Sequence, residues 1–385
     1  MSNVLAAPPV HSDPAPRVLD VPVILFGFNR PAYLERVCAS LMRQRDVALD
    51  PRRVFLMQDG AVSDRTGLRY AEDAEIEASV AAFRAHFPRG HVAASRANIG
   101  IAANIRRGEV LAFEALDADC GYFFEDDLEL GPEYLRIMEG LRAVADRDPR
   151  IGYFAAYGDH NAAPPGPEAW LVMMDHHWAF GLKREPWRRL REWLAPYERI
   201  IEGADYTWRD HMAIYRWMEG LDVAGAHTSQ DAVKTIGCHA LGIARVMTDV
   251  CFGRYIGATG ASFHQAKFND LGFDRMEWVE GPEQRLAPGV GSQVAGIVAD
   301  ARKRQRNFRR DEFPALLTSQ GRTRMERDRM ASREDVSGLF RWLLDREAEE
   351  SALDLYAERN SVRRVRDILL RSPEFRGGNP QPRRG

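Results

Sequence analysis

A short run of large apolar residues followed at once by three acids is the feature that most limits how this chain can fold. Tyr122–Phe124 is too short for a helix and suits a strand that is buried on both faces. Glu125, Asp126 and Asp127 follow directly, and Pro132 then opens an amphipathic helix, because proline suits the first helical turn. Ligands of open α/β sheets bind at the carboxyl ends of strands. The pattern therefore predicts a buried strand that ends in an acidic site.

The three acids indicate a bound cation. Adjacent carboxylates repel one another, and a hard divalent ion prefers carboxylate oxygen and often shares its coordination shell with phosphates. We therefore predict Mn²⁺ or Mg²⁺ as the cofactor at this turn. The alternative is a solvated acidic turn without a ligand, which the flanking strand and helix make less favourable.

Other apolar runs repeat the order of strand and helix. Strands are predicted at Val21–Phe28, Arg53–Met57 and Ile151–Ala156, with amphipathic helices between them. This alternation predicts an α/β fold with a mostly parallel sheet, flanking helices and right-handed crossovers. Phe28–Arg30 and Gln58–Gly60 each follow a strand, as the three acids do. One edge of the sheet should therefore collect all three segments.

The composition supports a large core and excludes several classes of protein. The 385 residues are 45% hydrophobic, enough for one large domain with an appendage or for two domains. A net charge of −3 gives no reason to expect nucleic-acid binding. The four cysteines have no metal-ligand spacing and indicate free thiols in a reducing compartment. Without an apolar run of roughly 20 residues or a secretory signal, the chain is predicted to be cytoplasmic.

Changes in composition divide the chain. We predict disordered tails over residues 1–17 and 377–385, a large domain over 18–285, a basic linker or helix over 286–334 and a small helical module over 335–376. The basic run Arg302–Arg310 is interpreted as one face of a solvated helix. The alternative is peripheral docking to an anionic membrane surface, which would place the protein at the inner face of a membrane.

The order and spacing of four segments resemble those of GT-A fold nucleotide-sugar glycosyltransferases. These segments are Phe28–Pro31, Gln58–Gly60, Asn98–Gly100 and Phe124–Glu129. The resemblance is closest to the branch that contains the N-acetylglucosaminyltransferase I type and its bacterial, family 2-like relatives. It implies a Rossmann-like GT-A domain, with a nucleotide-sugar half over 18–157 and an acceptor half over 158–285. The C-terminal residues look like a small helical module often appended to bacterial carbohydrate enzymes.

What the resemblance implies for function is glycosyl transfer. The donor would be a nucleotide-diphosphate sugar, such as a UDP-sugar, carrying a hexosyl or N-acetylhexosaminyl group. The acceptor would be a hydroxyl group of a glycan, of a lipid-linked molecule or of a protein.

The resemblance also implies donor-side roles. Asp127 matches the acid of the DXD-like motif that coordinates Mn²⁺, whereas Glu125 and Asp126 match positions that contact the ribose, the base or the sugar. Asp59 matches the carboxylate that contacts the nucleoside, although any turn can use such an aspartate. The other donor-side positions are Phe28, Asn29 and Arg30 in the nucleoside pocket, Arg96 facing a phosphate, and Asn98, which would otherwise be a plain helix cap.

On the acceptor side, Asp231 matches the general base, which would make the transfer inverting. The alternative interpretation of Asp231 is an ordinary acidic residue at the start of a helix. The chain departs from the family at Gln230, where a tryptophan is usual, and at Trp178–Phe180, where Trp-Gly-Trp is usual. His177 and Trp178 are predicted to face the acceptor, with a core position as the alternative for Trp178. His264 is predicted to complete the metal shell, with a purely structural histidine as the alternative.

Two competing functions remain at this point. A sugar-1-phosphate nucleotidyltransferase uses a similar sheet, but its Gly-rich basic phosphate loop has no counterpart at Gly27–Pro31. A catalytically dead carbohydrate-binding or scaffold protein would keep the same fold without turnover.

Overall fold

The computed structural model describes residues 16–161, 166–259, 265–318 and 329–378 of the 385-residue chain. Its strands of three or more residues are β1 (Val23–Gly27), β2 (Val54–Gln58), β3 (His91–Ala94), β4 (Cys120–Phe124), β5 (Leu128–Leu130), β6 (Ile151–Ala155), β7 (Leu171–Met173), β8 (Ala179–Lys183), β9 (Ala244–Thr248) and β10 (Gly253–Tyr255). Two-residue strands pair as Arg17–Val18 with Val47–Ala48 and as Glu168–Ala169 with Arg285–Leu286.

Helices flank these strands. They are α1 (Pro31–Met42), α2 (Asp73–His86), α3 (Gly100–Val110), α4 (Tyr134–Arg147), α5 (Arg184–Ile201), α6 (His211–Glu219), α7 (Gln230–Leu241), α8 (Gln265–Asp270), α9 (Val294–Asp311), α10 (Phe313–Thr318), α11 (Arg333–Leu344), α12 (Glu350–Tyr356), α13 (Val362–Arg371) and α14 (Pro373–Gly378). A π-helical turn, Leu111–Ala115, extends α3.

The central sheet has eight strands in the order β7-β9-β6-β8-β4-β1-β2-β3, while β5 and β10 pair separately. Strands β4, β1, β2 and β3 run parallel, as do β6 and β9. Strand β8 runs antiparallel between β4 and β6, and β7 runs antiparallel to β9. The predicted α/β class with a mostly parallel sheet is therefore confirmed, whereas β8 was not among the predicted strands.

Strand β4 is buried on both faces, as predicted. On one face, the ring of Phe123 stacks on Phe180 of β8 at 5.3 Å between centroids and on Phe26 of β1 at 6.3 Å. On the other face, Phe124 packs against Tyr134 of α4 at 6.4 Å. Large rings supply most of the buried apolar area in such a core. They fix the strand, and with it the position of the acids that follow.

Helix α9 carries the basic run, and several of its arginines face the protein. Arg306 pairs with Asp222 at 2.8 Å, and Arg302 lies 3.8 Å from the same carboxylate. Arg309 donates to the carbonyl oxygens of Glu219 and Leu221. The alternative of membrane docking gains no support from these three guanidinium groups, because they already pair with acceptor groups of the protein. In the part of the chain that the structure describes, no helix combines the length and the apolar character that crossing a bilayer requires.

The residues that the structure describes form two hydrophobic clusters. The larger cluster extends from Leu19 to Phe313 and includes Val294 of α9. The smaller one contains Val336 and Phe340 of α11 together with other buried residues between Ala331 and Leu369. We refer to α11, α12, α13 and α14 as the C-terminal helices. The domain boundaries given by the sequence stay a prediction.

Gly181 of β8 offers a test of this packing. A Cβ atom added there would lie 2.2 Å from Cζ of Phe154, whose ring is fully buried. We expect Gly181→Ala to lower the free energy of unfolding by about 1–3 kcal/mol in urea titrations, because overpacking forces neighbours apart. Gly296→Ala in α9 is the control, since its Cβ would meet no atom within 4 Å. Equal stability of the two variants would contradict the close approach of β8 and β6.

Candidate functional site

The structure brings the predicted strand-end segments together. Strands β4, β1 and β2 are parallel neighbours, so the residues that follow them share one edge of the sheet. Arg30, which follows β1, donates from Nη2 to Oδ2 of Asp127 at 3.1 Å and from Nε to Oδ2 of Asp126 at 3.3 Å. A second, shorter contact joins Nη2 to Oδ1 of Asp126. The Phe28–Arg30 segment and the acidic turn therefore form one site.

Burial controls the charges of the three acids. It raises the pKa of Glu125 well above its ordinary value, with the charges of Asp127 and Asp231 adding to the effect. Burial also raises the pKa of Asp126 to about 6 and raises that of Asp127, although Arg30 opposes both shifts. Three carboxylates held this closely bind protons more tightly than free ones. A cation is the ligand that would most favour their charged forms.

The acidic turn fits a divalent ion that shares its shell with a ligand. Oδ1 of Asp127 is buried and has no hydrogen-bond partner, so one carboxylate oxygen is free to coordinate. In the described ranges, no three His, Cys, Asp or Glu side chains are arranged to hold an ion. A Mg²⁺-type ion commonly takes one or two carboxylates and completes its shell with water and substrate phosphates. His264, the other predicted ligand, lies outside the described residues.

Arg30 is itself a cation placed among the acids. The sequence predicts that it lines the nucleoside pocket, whereas the structure directs its guanidinium group to Asp126 and Asp127. The pKa of Arg30 is raised by these charges despite its burial. Arg30 thus supplies part of the positive charge that we expected a metal ion to provide.

Asp59 holds the start of α3 in place. Its Oδ1 accepts from the backbone N–H groups of Gly60 and Ile99, at 2.8 and 2.9 Å. Its Oδ2 accepts from the N–H of Gly100 at 2.9 Å and from Nδ2 of Asn98 at 3.3 Å. The residue is only 4% exposed, and burial raises its pKa. Asp59 therefore has a structural role in this loop, and its contact with a nucleoside stays a prediction.

Asn98 belongs to the same loop. Its Nδ2 also donates to the carbonyl oxygen of Gly60 at 3.0 Å, so its side chain is engaged with backbone. Phe28 and Asn29 are half-buried after β1, and Arg96 is exposed after β3. The donor-side roles of these three residues stay predictions.

The predicted base lies at the start of α7, facing the acids. Asp231 is half-buried in the first turn of the helix. Its negative charge helps to raise the pKa of Glu125. It also opposes the effect of burial on His176, which lowers the pKa of that ring to about 4. Gln230 is buried and donates its N–H to the hydroxyl of Tyr206 at 2.7 Å, which anchors this turn.

The two predicted acceptor rings are in the core. Trp178 is 6% exposed because it is stacked between His176 and Tyr255, at 4.1 and 4.2 Å between centroids. His177 is 5% exposed and lies beneath the ring of Phe180. Trp178 therefore has the core position given as its alternative, and the acceptor contacts of Trp178 and His177 stay predictions. His176 is the half-buried ring at this position.

Tyr255 is a site residue that the sequence does not reveal. A hydrogen bond from its hydroxyl lowers the pKa of Asp127, against the larger effect of burial. Tyr255 belongs to β10, which pairs with β5 directly after the acids. Its only sequence signal is an aromatic residue in a Gly-rich stretch, which does not distinguish it from a loop residue.

Comparisons with known proteins give only distant likenesses. No family model matches the chain, and no curated protein matches it. Solved structures that resemble it include the mannosyltransferase PcManGT from Pyrobaculum calidifontis in complex with GDP-Man and Mn²⁺, with a TM-score of 0.37 and 13% identity over 81% of this chain and 84% of that chain. Another is TarS of S. aureus, with a TM-score of 0.34 and 11% identity over 87% of this chain and 50% of that chain.

A third is the galactosyltransferase LgtC in complex with donor and acceptor sugar analogs, with a TM-score of 0.29 and 12% identity over 68% of this chain and 98% of that chain. With TM-scores this low, the α/β assignment rests on the sheet topology and not on these likenesses.

Removing Arg30 should make stability depend more strongly on pH. The folded acids keep their protons to a higher pH than unfolded ones, so their contribution to stability is lost as the pH rises through their folded pKa values. For Asp126 in the wild type, this window runs from about pH 4 to about pH 6. Without Arg30, the pKa values of Asp126 and Asp127 should rise further, so the window should extend to higher pH. We expect Arg30→Met to cost about 3 kcal/mol of unfolding free energy near pH 8 and clearly less near pH 5.

Urea titrations at both pH values measure this difference. Arg188→Met is the control, because Arg188 forms an exposed pair with Glu185. A pH-independent loss at Arg30 would show that its guanidinium group does not balance the acids.

Proposed function

We propose that the chain is a metal-dependent, GT-A type glycosyltransferase that acts on a nucleotide-diphosphate sugar. The observation that carries this proposal is the convergence of the acidic turn, Arg30 and Asp231 at the carboxyl edge of one mostly parallel sheet. Ligands of such sheets bind at this edge. A site with buried acids, an unpaired carboxylate oxygen and a nearby separate carboxylate suits a diphosphate donor and a hydroxyl acceptor.

On the donor side, Asp127 would hold the divalent ion through its unpaired Oδ1. A bound ion would act as a Lewis acid toward the departing diphosphate. Tyr255 keeps Asp127 oriented through its hydroxyl, and Arg30 keeps Asp126 and Asp127 charged. Arg96, which is exposed, would meet a phosphate of the donor.

On the acceptor side, Asp231 would accept the proton of the attacking hydroxyl. The acceptor oxygen then forms a bond to the anomeric carbon, and the bond from that carbon to the diphosphate oxygen breaks. Because one displacement occurs with a general base and no protein nucleophile, the configuration inverts. The transferred group would be a hexosyl or N-acetylhexosaminyl unit, and the acceptor a glycan, a lipid-linked molecule or a protein.

A non-catalytic carbohydrate-binding or scaffold protein is the second candidate. Arg30 already pairs with the acids, and the predicted acceptor rings Trp178 and His177 are buried. Both features would suit a site that binds a donor without turnover. The nucleotidyltransferase alternative has no comparable observation in its favour.

Binding of a donor together with a metal tests the proposal. We expect one nucleotide-diphosphate sugar, in a panel screened with and without Mn²⁺, to raise the apparent unfolding temperature by roughly 5 °C at saturating concentration. Asp127→Ala should abolish the Mn²⁺-dependent part of this shift, because the free carboxylate oxygen is removed. Asp300→Ala, an exposed acid of α9, is the control. No shift with any donor, or an undiminished shift in Asp127→Ala, would contradict the proposed donor site.

The role of Asp231 is tested separately from donor binding. We expect Asp231→Asn to leave the donor-induced thermal shift unchanged. The rate at which nucleoside diphosphate is released in the presence of simple sugar acceptors should fall by about 10²- to 10⁴-fold, the usual contribution of a general base. Asp300→Asn is the matched control. Full transfer activity in Asp231→Asn would exclude this residue as the base. Donor binding without release in the wild type would favour the scaffold.

A further inference from the structure

Arg364 joins the C-terminal helices to the large domain. It lies in the first turn of α13 and is only 7% exposed. Its Cζ atom stands 4.4 Å from the ring centroid of Trp208, a cation–π contact between the two parts of the chain. Burial lowers the pKa of Arg364, whereas Tyr70 and the negative charge of Asp205 raise it. The guanidinium group therefore lies over an aromatic face, within range of the charge of an acid.

Asp205 organises the surface on which Arg364 rests. Its carboxylate accepts from Oγ of Ser63 at 2.7 Å, from Oγ1 of Thr66 at 2.6 Å and from the hydroxyl of Tyr70 at 2.7 Å. Asp205 is itself buried, and Arg364 lies near enough for the two charges to interact, since the charge of Asp205 raises the pKa of Arg364.

The turn that follows Asp205 reaches the candidate site at two points. The hydroxyl of Tyr206 accepts from the N–H of Gln230, directly before Asp231. The Cβ of the same tyrosine packs against Gly100, where an added Cβ would lie 2.8 Å away and φ is +77°. Gly100 is the residue whose N–H is held by Asp59. One turn thus contacts the starts of both α3 and α7.

A second contact leads to the same turn. The N–H of Met330 donates to Oδ2 of Asp210 at 3.4 Å, while Oδ1 of Asp210 caps α6 through Ala213. Arg209 donates to the carbonyl oxygen of Thr228, which precedes α7. Arg364 of α13 and Met330, which precedes α11, therefore contact the segment 205–210 at two places, and this segment contacts the loop before α7.

We propose that the C-terminal helices brace the candidate site, and that Arg364 is the positioning residue that fixes the starts of α3 and α7 through the 205–210 turn. The consequence for the orientation of Asp231 rests on the proposed function, whereas the mechanical coupling does not. A buried cation over an aromatic ring is attracted to the π face, and a neutral side chain does not supply this attraction.

Hydrogen–deuterium exchange of the full chain tests this coupling without an assay of activity. We expect Arg364→Met to speed exchange at least about threefold in peptides that cover residues 98–104, 204–211 and 228–236, because local opening becomes easier. Arg364→Lys should restore much of the protection, since it keeps a cation near Trp208. Arg359→Met, at an exposed arginine of the turn between α12 and α13, should leave all three peptides unchanged.

The result that overturns the proposal is faster exchange confined to the C-terminal helices, or to residues 204–211, with 98–104 and 228–236 unchanged. If Arg364→Met also unfolds residues 333–371, Trp208→Leu removes the contact from the other side, and the same three peptides must then respond while α11 to α13 stay protected.

Release of nucleoside diphosphate from a UDP-sugar gives the second readout. Arg364→Met should lower kcat by about tenfold, a larger change than that in the donor KM, because Asp231 at the start of α7 is misplaced while Asp127 is not. An unchanged kcat would refute the positioning role. If Arg364→Met changes the exchange of the three peptides but the wild type shows no turnover, the proposed function is refuted and the mechanical coupling is not.

Discussion

Three buried carboxylates at the carboxyl edge of a sheet are stable in their charged forms only if a positive charge lies among them. In this structure Arg30 supplies that charge. Its guanidinium group contacts both Asp126 and Asp127. Without such a partner, moving each ionised carboxylate out of water would cost several kcal/mol of desolvation free energy. The raised pKa values of all three acids show that Arg30 offsets this loss only in part. The site is therefore poised to gain from a further positive charge.

The position of the acids follows from the core beneath them. Phe123 is packed between β1 and β8, and Phe124 is packed against α4, so β4 cannot slide without exposing large rings. A shift of one residue would also turn each side chain of the strand to the opposite face. The packed strand thus sets where Glu125, Asp126 and Asp127 emerge. Strand β1, in register with β4, sets where Arg30 meets them.

The strand ends could be predicted from the sequence because each combines an apolar run with polar residues, a pattern that depends on neighbours in the chain. Strand β8 could not, because Ala179–Lys183 owes its place to antiparallel pairing with β4 and β6. The four hydrogen bonds of Asp59 go to residues up to 41 positions away, which no local pattern shows. The burial of Trp178 likewise depends on Tyr255, a distant residue of β10.

The same geometry links donor and metal in the proposed function. In the acidic turn, one buried carboxylate oxygen has no hydrogen-bond partner, at Asp127, and that is too few ligands to retain a divalent ion by itself. A diphosphate would supply further oxygens, so each of the two ligands improves the site for the other. Such coupling is reciprocal by thermodynamic necessity. Because Arg30 already neutralises part of the acidic turn, it weakens binding of a lone ion more than binding of an ion that arrives with its anionic partner. An arginine at this place would therefore favour loading of the ion and the donor together.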